Sequence, residues 1–247
     1  MKQKTKVIIN GSNGRMGQAA VNAIKKSHDL ELVAALTRKD NLLSAIKDTR
    51  AKVVVDLTVP DVVFEHSKIT LAAGAHPVIG ATGLTNENIQ ELQEISSQRK
   101  IGGIIAPNFS IGALLMMRFA KEAAKHFNYA EIIEMHHEQK IDSPSGTAKK
   151  TADMMAENFK AGPMPKSKET IAHTRGGSLH NIPIHAVRMP GLLAHQQVIF
   201  GEAGETFTIS HDSINRDCFM PGILLACRKV LQLDQLIYGL DEVLFND

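Results

Sequence analysis

The feature that most constrains this chain is an alternation. Up to residue 106, short runs rich in β-branched residues take turns with stretches of helical periodicity. The runs are TKVIIN (5–10), LELVAAL (30–36), AKVVVDL (51–57), HPVIGAT (76–82) and KIGGIIA (100–106), and helices are predicted at about 14–27, 61–73 and 85–98. The third helix opens on Thr85-Asn86-Glu87-Asn88, which has capping potential. Strands separated by helices form parallel sheets with right-handed crossovers, so the expected architecture is a Rossmann-like, doubly wound α/β fold. Ligands of such folds bind at the C-terminal ends of the strands.

After Pro107 the rhythm breaks. A helix (about 111–126) leads to a strand (129–136), a polar loop and a second helix opening near Thr147. IPIHAVRM (182–189), AHQQVIFG (194–201) and GETFTISHDS (204–213) are consecutive strands joined by glycine turns, which predicts a second, α+β domain with a mixed or antiparallel sheet. A final helix at about 218–232 and the tail GLDEVLF are expected to return to the first domain. A lone helix there needs a surface on which to bury Ile223, Leu224, Ala226 and Leu231. A length of 247 residues suits one Rossmann-sized domain and a smaller companion.

Composition excludes several classes of function. A formal charge of +2, with basic residues dispersed apart from short runs such as Arg38-Lys39 and Lys149-Lys150, does not imply nucleic acid. The opening MKQKTKVIIN reads as a first strand and not as a signal peptide, and no run approaches the roughly 18 apolar residues of a membrane span. Cys218 and Cys227 have no metal or redox spacing; they read as thiols in a reducing, cytoplasmic compartment.

The chemistry is concentrated at strand ends. Gly11-Ser12-Asn13-Gly14-Arg15-Met16-Gly17 follows the first strand and opens a helix. Glycines there let the backbone approach a pyrophosphate, and the helix N-terminus favours its charge. The spacing is not a strict G-x-G-x-x-G, since Asn13 stands where a glycine is expected; asparagine tolerates positive φ better than most residues. A plain turn is the competing reading. The second strand ends in Thr37-Arg38-Lys39 where an acid normally holds the ribose of NAD, which points to the 2′-phosphate of NADP, with solvated loop cations as the alternative. Gly80-Ala81-Thr82-Gly83 and Ala106-Pro107-Asn108-Phe109-Ser110 leave room for a nicotinamide ring, or are ordinary βα turns.

The densest polar segment runs from Glu134 to Ala148: EMHHEQKIDSPSGTA. Ser145-Gly146-Thr147 precedes a helix whose unpaired N–H groups can bind a carboxylate, with Lys140 as a compensating charge. A histidine on the preceding strand can serve as proton donor. Metal binding competes, but H-E-x-x-H is absent and the H-x-E lacks a downstream P-C-x-x-C. A purely structural pair of histidines is the other alternative.

This segment resembles the signature of the dihydrodipicolinate reductase family, E-x-H-H-x-x-K-x-D-[AS]-P-S-G-T-A. The turn at Gly11–Gly17, D-x-T-x-P at Asp56–Pro60, G-x-T-G at Gly80–Gly83 and A-P-N-F-S at Ala106–Ser110 fall in that family's order and approximate spacing. The likeness covers nearly the whole chain and is weakest in 38–50 and 160–200. It implies a dinucleotide domain of 1–107 completed by 217–247, with 108–216 for substrate binding and oligomerisation, in a homotetramer.

The resemblance also implies hydride transfer from NAD(P)H to a cyclic unsaturated dicarboxylate made from hydroxy-tetrahydrodipicolinate, giving tetrahydrodipicolinate in the diaminopimelate and lysine pathway. His136 would be the proton donor/acceptor and Lys140 a second donor; His137, Ser145, Gly146 and Thr147 would hold the substrate carboxylate. Gly11, Ser12, Asn13, Gly14, Arg15, Met16, Arg38, Gly80, Ala81, Thr82, Ala106, Pro107, Asn108 and Phe109 would line a cofactor expected to be NADPH, with NADH weaker. No metal is expected. The sequence departs from the family at Thr37, at Val59 and in a compressed 38–50 segment.

Two other readings stand beside this one. A semialdehyde or sugar dehydrogenase of similar design is the first, although a semialdehyde enzyme needs a nucleophilic cysteine in a suitable loop. A catalytically silent NADPH sensor is the second, and the presence of both His136 and Lys140 argues against it.

Overall fold

The computed structural model describes residues 3–163 and 168–245; residues 1–2, 164–167 and 246–247, which fall inside the expected domain spans, lie outside the described residues. The chain divides into two compact units, one running to Ile111 and resuming at Arg216, the other spanning Gly112–Asn215.

The first unit is the doubly wound layer structure. Its strands are β1 (Thr5–Asn10), β2 (Leu30–Leu36), β3 (Val53–Asp56), β4 (His76–Ile79), β5 (Gly103–Ile105) and β11 (Leu236–Tyr238), all parallel, in the order β11-β5-β4-β3-β1-β2. The helices α1 (Arg15–Lys26), α2 (Leu42–Thr49), α3 (Pro60–Ala72) and α4 (Asn86–Arg99) connect the first five strands. Central strands read as unbroken apolar runs because both faces are covered: Val53, Val54 and Val55 are all buried, as are Val7, Ile8 and Ile9. Thr85 caps α4 in a full capping box with Asn88, as its sequence suggests. The connection reverses direction at β1, whose neighbours are β2 and β3, which makes the C-terminal ends of β1 and β3 the topological switch point.

Three elements of this unit escape the sequence pattern: α2, β11 and the terminal helix α8 (Asp241–Phe245). Each is short and carries too few periodic apolar residues to stand out. The helix α7 (Met220–Lys229) buries Met220, Gly222, Ile223, Ala226 and Cys227. Leu231, expected on the buried stripe, is 38% exposed, because the α-helix ends at Lys229 and a 3₁₀ turn over Val230–Gln232 rotates it outward.

The second unit has a mixed sheet of β6 (Tyr129–His136), β7 (Gly177–Leu179), β8 (Ile182–Arg188), β9 (Ala194–Glu202) and β10 (Glu205–Ser213), ordered β10-β9-β6-β8-β7. The strand β6 lies between β8 and β9, parallel to the first and antiparallel to the second, so two strands that follow one another in sequence are not neighbours. The helices α5 (Ile111–Ala123) and α6 (Gly146–Ala156) supply Ala120, Ala148, Ala152 and Met155 to a core that includes Ile132, Ile182, Val198 and Phe200. Alanines on the helices permit close approach to the larger residues of the sheet.

Close backbone approach recurs in the first unit. A Cβ built on Gly222 would lie 2.0 Å from the Phe109 carbonyl oxygen, so α7 can sit where it does only without one. We expect Gly222→Ala to cost about 1–3 kcal/mol by overpacking, lowering Tm by roughly 2–4 °C per kcal/mol for a chain of this size. Gly177→Ala, where nothing lies within 4 Å, should leave Tm nearly unchanged; thermal melts of the two variants showing equal midpoints would refute the contact's importance.

Candidate active site

In the first unit, five strand ends gather at one edge of the sheet. The turn after β1 begins at Gly11, whose φ is +87° and whose missing Cβ would otherwise lie 2.7 Å from the Leu57 carbonyl oxygen. The positive φ therefore falls on Gly11 and not on Asn13, which has no need of the tolerance attributed to it. Gly17 lets α1 cross the turn closely, a Cβ there lying 2.2 Å from the Gly11 carbonyl oxygen.

The N–H groups of Gly11 and Ser12 donate to the Leu36 carbonyl at the end of β2, and Gly14 N–H donates back to Gly11. The helix N-cap, Gly14, makes no side-chain cap, so Arg15 and Met16 open α1 with unpaired N–H groups. Gly14, Arg15 and Asn13 are exposed, Met16 is half-buried and Ser12 is buried. A turn that lacks a Cβ at Gly11, Gly14 and Gly17 and a helix end with open N–H groups suit a pyrophosphate, and thus a dinucleotide.

Beneath the turn, Asp56 closes β3 with a buried carboxylate. It accepts from Asn10 Nδ2 at 3.0 Å and from both the N–H and hydroxyl of Thr58, tying the ends of β1 and β3 together. Gly80 and Ala81 N–H groups donate to the Asp56 carbonyl, and a Cβ on Gly80 would lie 2.6 Å from the Phe109 ring. Ala106 and Phe109 are themselves buried, whereas Thr82 and Pro107 are exposed and Asn108 is half-buried, its side chain accepting from Ser110 N–H at 2.8 Å.

At the end of β2 the structure qualifies the sequence reading. Arg38 and Lys39 are exposed cations, but the acid that appeared to be missing returns from the turn: Asp40 Oδ2 accepts from both Thr37 N–H and Thr37 hydroxyl at 2.8 Å. Those bonds, the backbone one foremost, hold its carboxyl below the usual range.

In the second unit the polar segment is organised by Glu134, which the sequence reading placed at the head of the segment but gave no role. Along β6, Ala130, Ile132 and Glu134 are the buried, alternate positions, so a carboxylate occupies a core register. Glu134 Oε2 lies 2.6 Å from His136 Nδ1 and 2.7 Å from Arg188 Nη1; its Oε1 accepts from Arg188 Nη2 at 2.7 Å and from Ser145 N–H at 3.0 Å. Burial alone would raise the Glu134 pKa, but the bonds from His136, Arg188 and Ser145 overcome it and hold the group at about 2.

Arg188 Nη2 also donates to the Asp142 carbonyl at 2.7 Å, fastening the loop that carries Lys140. Lys140 Nζ donates to Asp142 Oδ1 at 2.8 Å, which lowers the Asp142 pKa. Ser145 caps α6, its side chain accepting from Ala148 N–H at 3.1 Å. That leaves the N–H groups of exposed Gly146 and half-buried Thr147 as first-turn donors without a protein acceptor among the described bonds. His137 is half-buried and its carbonyl accepts from Lys140 N–H. The sequence signal for Glu134 was its place in the alternation of β6; nothing local pointed to Arg188, which lies 54 positions away.

Nucleophilic chemistry at Cys227 is disfavoured. Cys227 is fully buried, and burial pushes its thiol up to about 12, the reverse of an activated nucleophile. Among the described residues, no helix is long and apolar enough to cross a membrane.

Comparison with known proteins gives a consistent result. Residues 5–109 match the N-terminal region of dihydrodipicolinate reductase and residues 112–244 its C-terminal region. The chain is 53% identical over 245 residues to 4-hydroxy-tetrahydrodipicolinate reductase of Legionella pneumophila (strain Lens), covering 98% of this chain and 100% of that one. It is 52% identical over 238 residues to the reductase of that name from Coxiella burnetii (strain Dugway 5J108-111), covering 96% and 98%. The solved structure of a dipicolinate-bound dihydrodipicolinate reductase from Paenisporosarcina sp. TG-14 superposes with a TM-score of 0.90 at 44% identity, covering 98% of this chain and all of that one. A dehydrogenase from Clostridium difficile, at 14% identity and a TM-score of 0.62, shares the fold alone. With both halves of the sequence matched and more than half the residues identical to reductases of that name, this chain belongs to the dihydrodipicolinate reductase family.

Proposed function

We propose that this protein reduces 4-hydroxy-tetrahydrodipicolinate, by way of its dehydrated ring, to tetrahydrodipicolinate with NAD(P)H, NADPH being preferred, as a step of diaminopimelate and lysine biosynthesis. The observation that carries this reading is the joining of His136 and the start of α6 through one buried carboxylate, which holds an acid–base group and an anion-binding helix end together. Full-length likeness to reductases of that name supports it.

The unit ending at Ile111 and resuming at Arg216 is read as the dinucleotide-binding part, and Gly112–Asn215 as the part for substrate and oligomerisation. By family likeness the assembly is a homotetramer in the cytoplasm. NADPH, when bound, supplies the hydride. The pyrophosphate meets the open N–H groups of Arg15 and Met16 and the helix dipole, while Gly11, Ser12, Asn13 and Gly14 shape the turn that lines it, the N–H groups of Gly11, Ser12 and Gly14 being used within the protein. Arg38 meets the 2′-phosphate. Gly80, Ala81 and Thr82, with Ala106, Pro107, Asn108 and Phe109, bound the space for the nicotinamide end, the buried Ala106 and Phe109 through their backbone.

On the second unit, Gly146 and Thr147 hold a substrate carboxylate through their open N–H groups, with Ser145 and His137 beside them. Lys140 exchanges its bond to Asp142 for the dicarboxylate and is a second donor. Hydride addition to a conjugated ring leaves electron density that a proton must quench. His136 delivers that proton through Nε2, since Nδ1 is committed to Glu134.

His136→Ala is expected to lower kcat by about 10²–10⁴-fold, and Lys140→Ala to lower it less, both with NADPH affinity almost unchanged. The check is an assay of NADPH oxidation coupled to freshly made synthase product; full turnover by His136→Ala would remove it as proton donor.

A charge-assisted bond from Arg38 to the 2′-phosphate contributes about 1.5–3 kcal/mol, or roughly 10- to 150-fold in affinity. NADPH is therefore expected to exceed NADH by at least about tenfold in kcat/KM. Thr37→Glu with Arg38→Ala should move the preference toward NADH without abolishing turnover. Equal efficiencies in the unaltered protein, or no shift in the double variant, would contradict this account of the loop.

A further inference from the structure

The carboxylate of Glu134 is an unusual thing to place in a sheet. It has no solvent exposure and occupies the register of Ala130 and Ile132, where an aliphatic residue would complete the core at no electrostatic cost. Every direction from which it can accept is used: His136 and Arg188 at Oε2, Arg188 and Ser145 at Oε1. Such an arrangement fixes both oxygens, and with them whatever they hold.

Ionised, a carboxylate can only accept. The 2.6 Å contact with His136 Nδ1 is thus a hydrogen bond only if Nδ1 carries the proton. That settles the tautomer: Nδ1 is a permanent donor to Glu134, and Nε2 is the nitrogen through which the ring can give or take a proton. Arg188 maintains the condition. Its paired bonds, both 2.7 Å, cancel the charge that would otherwise be stranded and prevent the carboxylate from turning away from the ring. The same guanidinium reaches the Asp142 carbonyl, and Glu134 reaches Ser145 N–H, so the loop and the helix start around the histidine are tied to the same group.

We infer that Glu134 is a positioning residue for proton transfer, acting through His136 by fixing its tautomer and ring plane, and that Arg188 serves by holding Glu134. This rests on the reading of His136 as the proton donor. A carboxylate that orients a catalytic imidazole is worth up to about 10⁴-fold in kcat in serine proteases, where its amide replacement leaves geometry intact and selects the wrong tautomer. The bland alternative is that Glu134 merely ties the loop to the sheet.

A double-mutant cycle separates the two. In the NADPH oxidation assay on the full chain, Glu134→Gln should lower kcat at least about tenfold with KM for NADPH unchanged. In a His136→Ala background the same substitution should change kcat by less than about twofold, because its effect has already been removed. An equal loss in both backgrounds, or no loss in either, overturns the inference while leaving His136 as donor. Full activity in His136→Ala overturns the donor reading, and this inference with it. Should Glu134→Gln fail to fold, ¹⁵N-imidazole NMR of the unaltered protein still decides: the neutral His136 ring is expected to carry its proton on Nδ1, and an Nε2–H ring would refute the proposal.

Discussion

A charged group with no access to water obliges its surroundings to satisfy it, and in the second unit that obligation falls on Glu134. Four bonds from three partners meet it, and those partners come from β6 itself, β8 and the N-terminus of α6. Replacing the ion pair by apolar residues often leaves stability unharmed, whereas removing one member strands the other. The pair is accordingly better understood through what it holds in register than through the stability it adds. It connects His136, Lys140's loop and the capped start of α6 into one cluster.

The first unit reaches a comparable arrangement by other means. There Asp56 is the buried carboxylate, joining β1 to β3 through Asn10 and fixing the chain just after β3 through Thr58, and the turn after β1 is built around glycines. Close approach and not charge is the controlling constraint: Gly11, Gly17, Gly80 and Gly222 each stand where a Cβ would come within 2.7 Å of another atom. A turn built this way offers N–H groups to any pyrophosphate and carries no information about the rest of the cofactor. The short segment after β2 differs in kind: there Arg38 and Lys39 face solvent and Asp40 is folded back onto Thr37.

Family membership and geometry support each other without being the same argument. Identity above one half over the full length assigns the chain to dihydrodipicolinate reductases. The hydrogen bonds give the first glutamate of the signature segment a place beside its histidines and lysine: it is bonded to the first histidine, to the arginine of β8 and to the backbone of the serine that caps the following helix.

The sequence by itself determined what local periodicity and turn chemistry control. The parallel layer, the glycine turn at Gly11–Gly17, the capping of α4 at Thr85 and the polar segment from Glu134 to Ala148 were all legible, because each depends on residues within a few positions of one another. Short elements such as α2, β7 and β11 were not, since a few residues carry little periodicity, and Leu231 was misplaced where a helix changed to a 3₁₀ turn. Tertiary structure alone decided the rest. It inserted β6 between β8 and β9, brought Arg188 across 54 positions onto Glu134, and returned Asp40 to Thr37. The physical reason is common to these cases: a charged side chain's partner is chosen by where the strands and turns place it, and sequence order does not encode that distance.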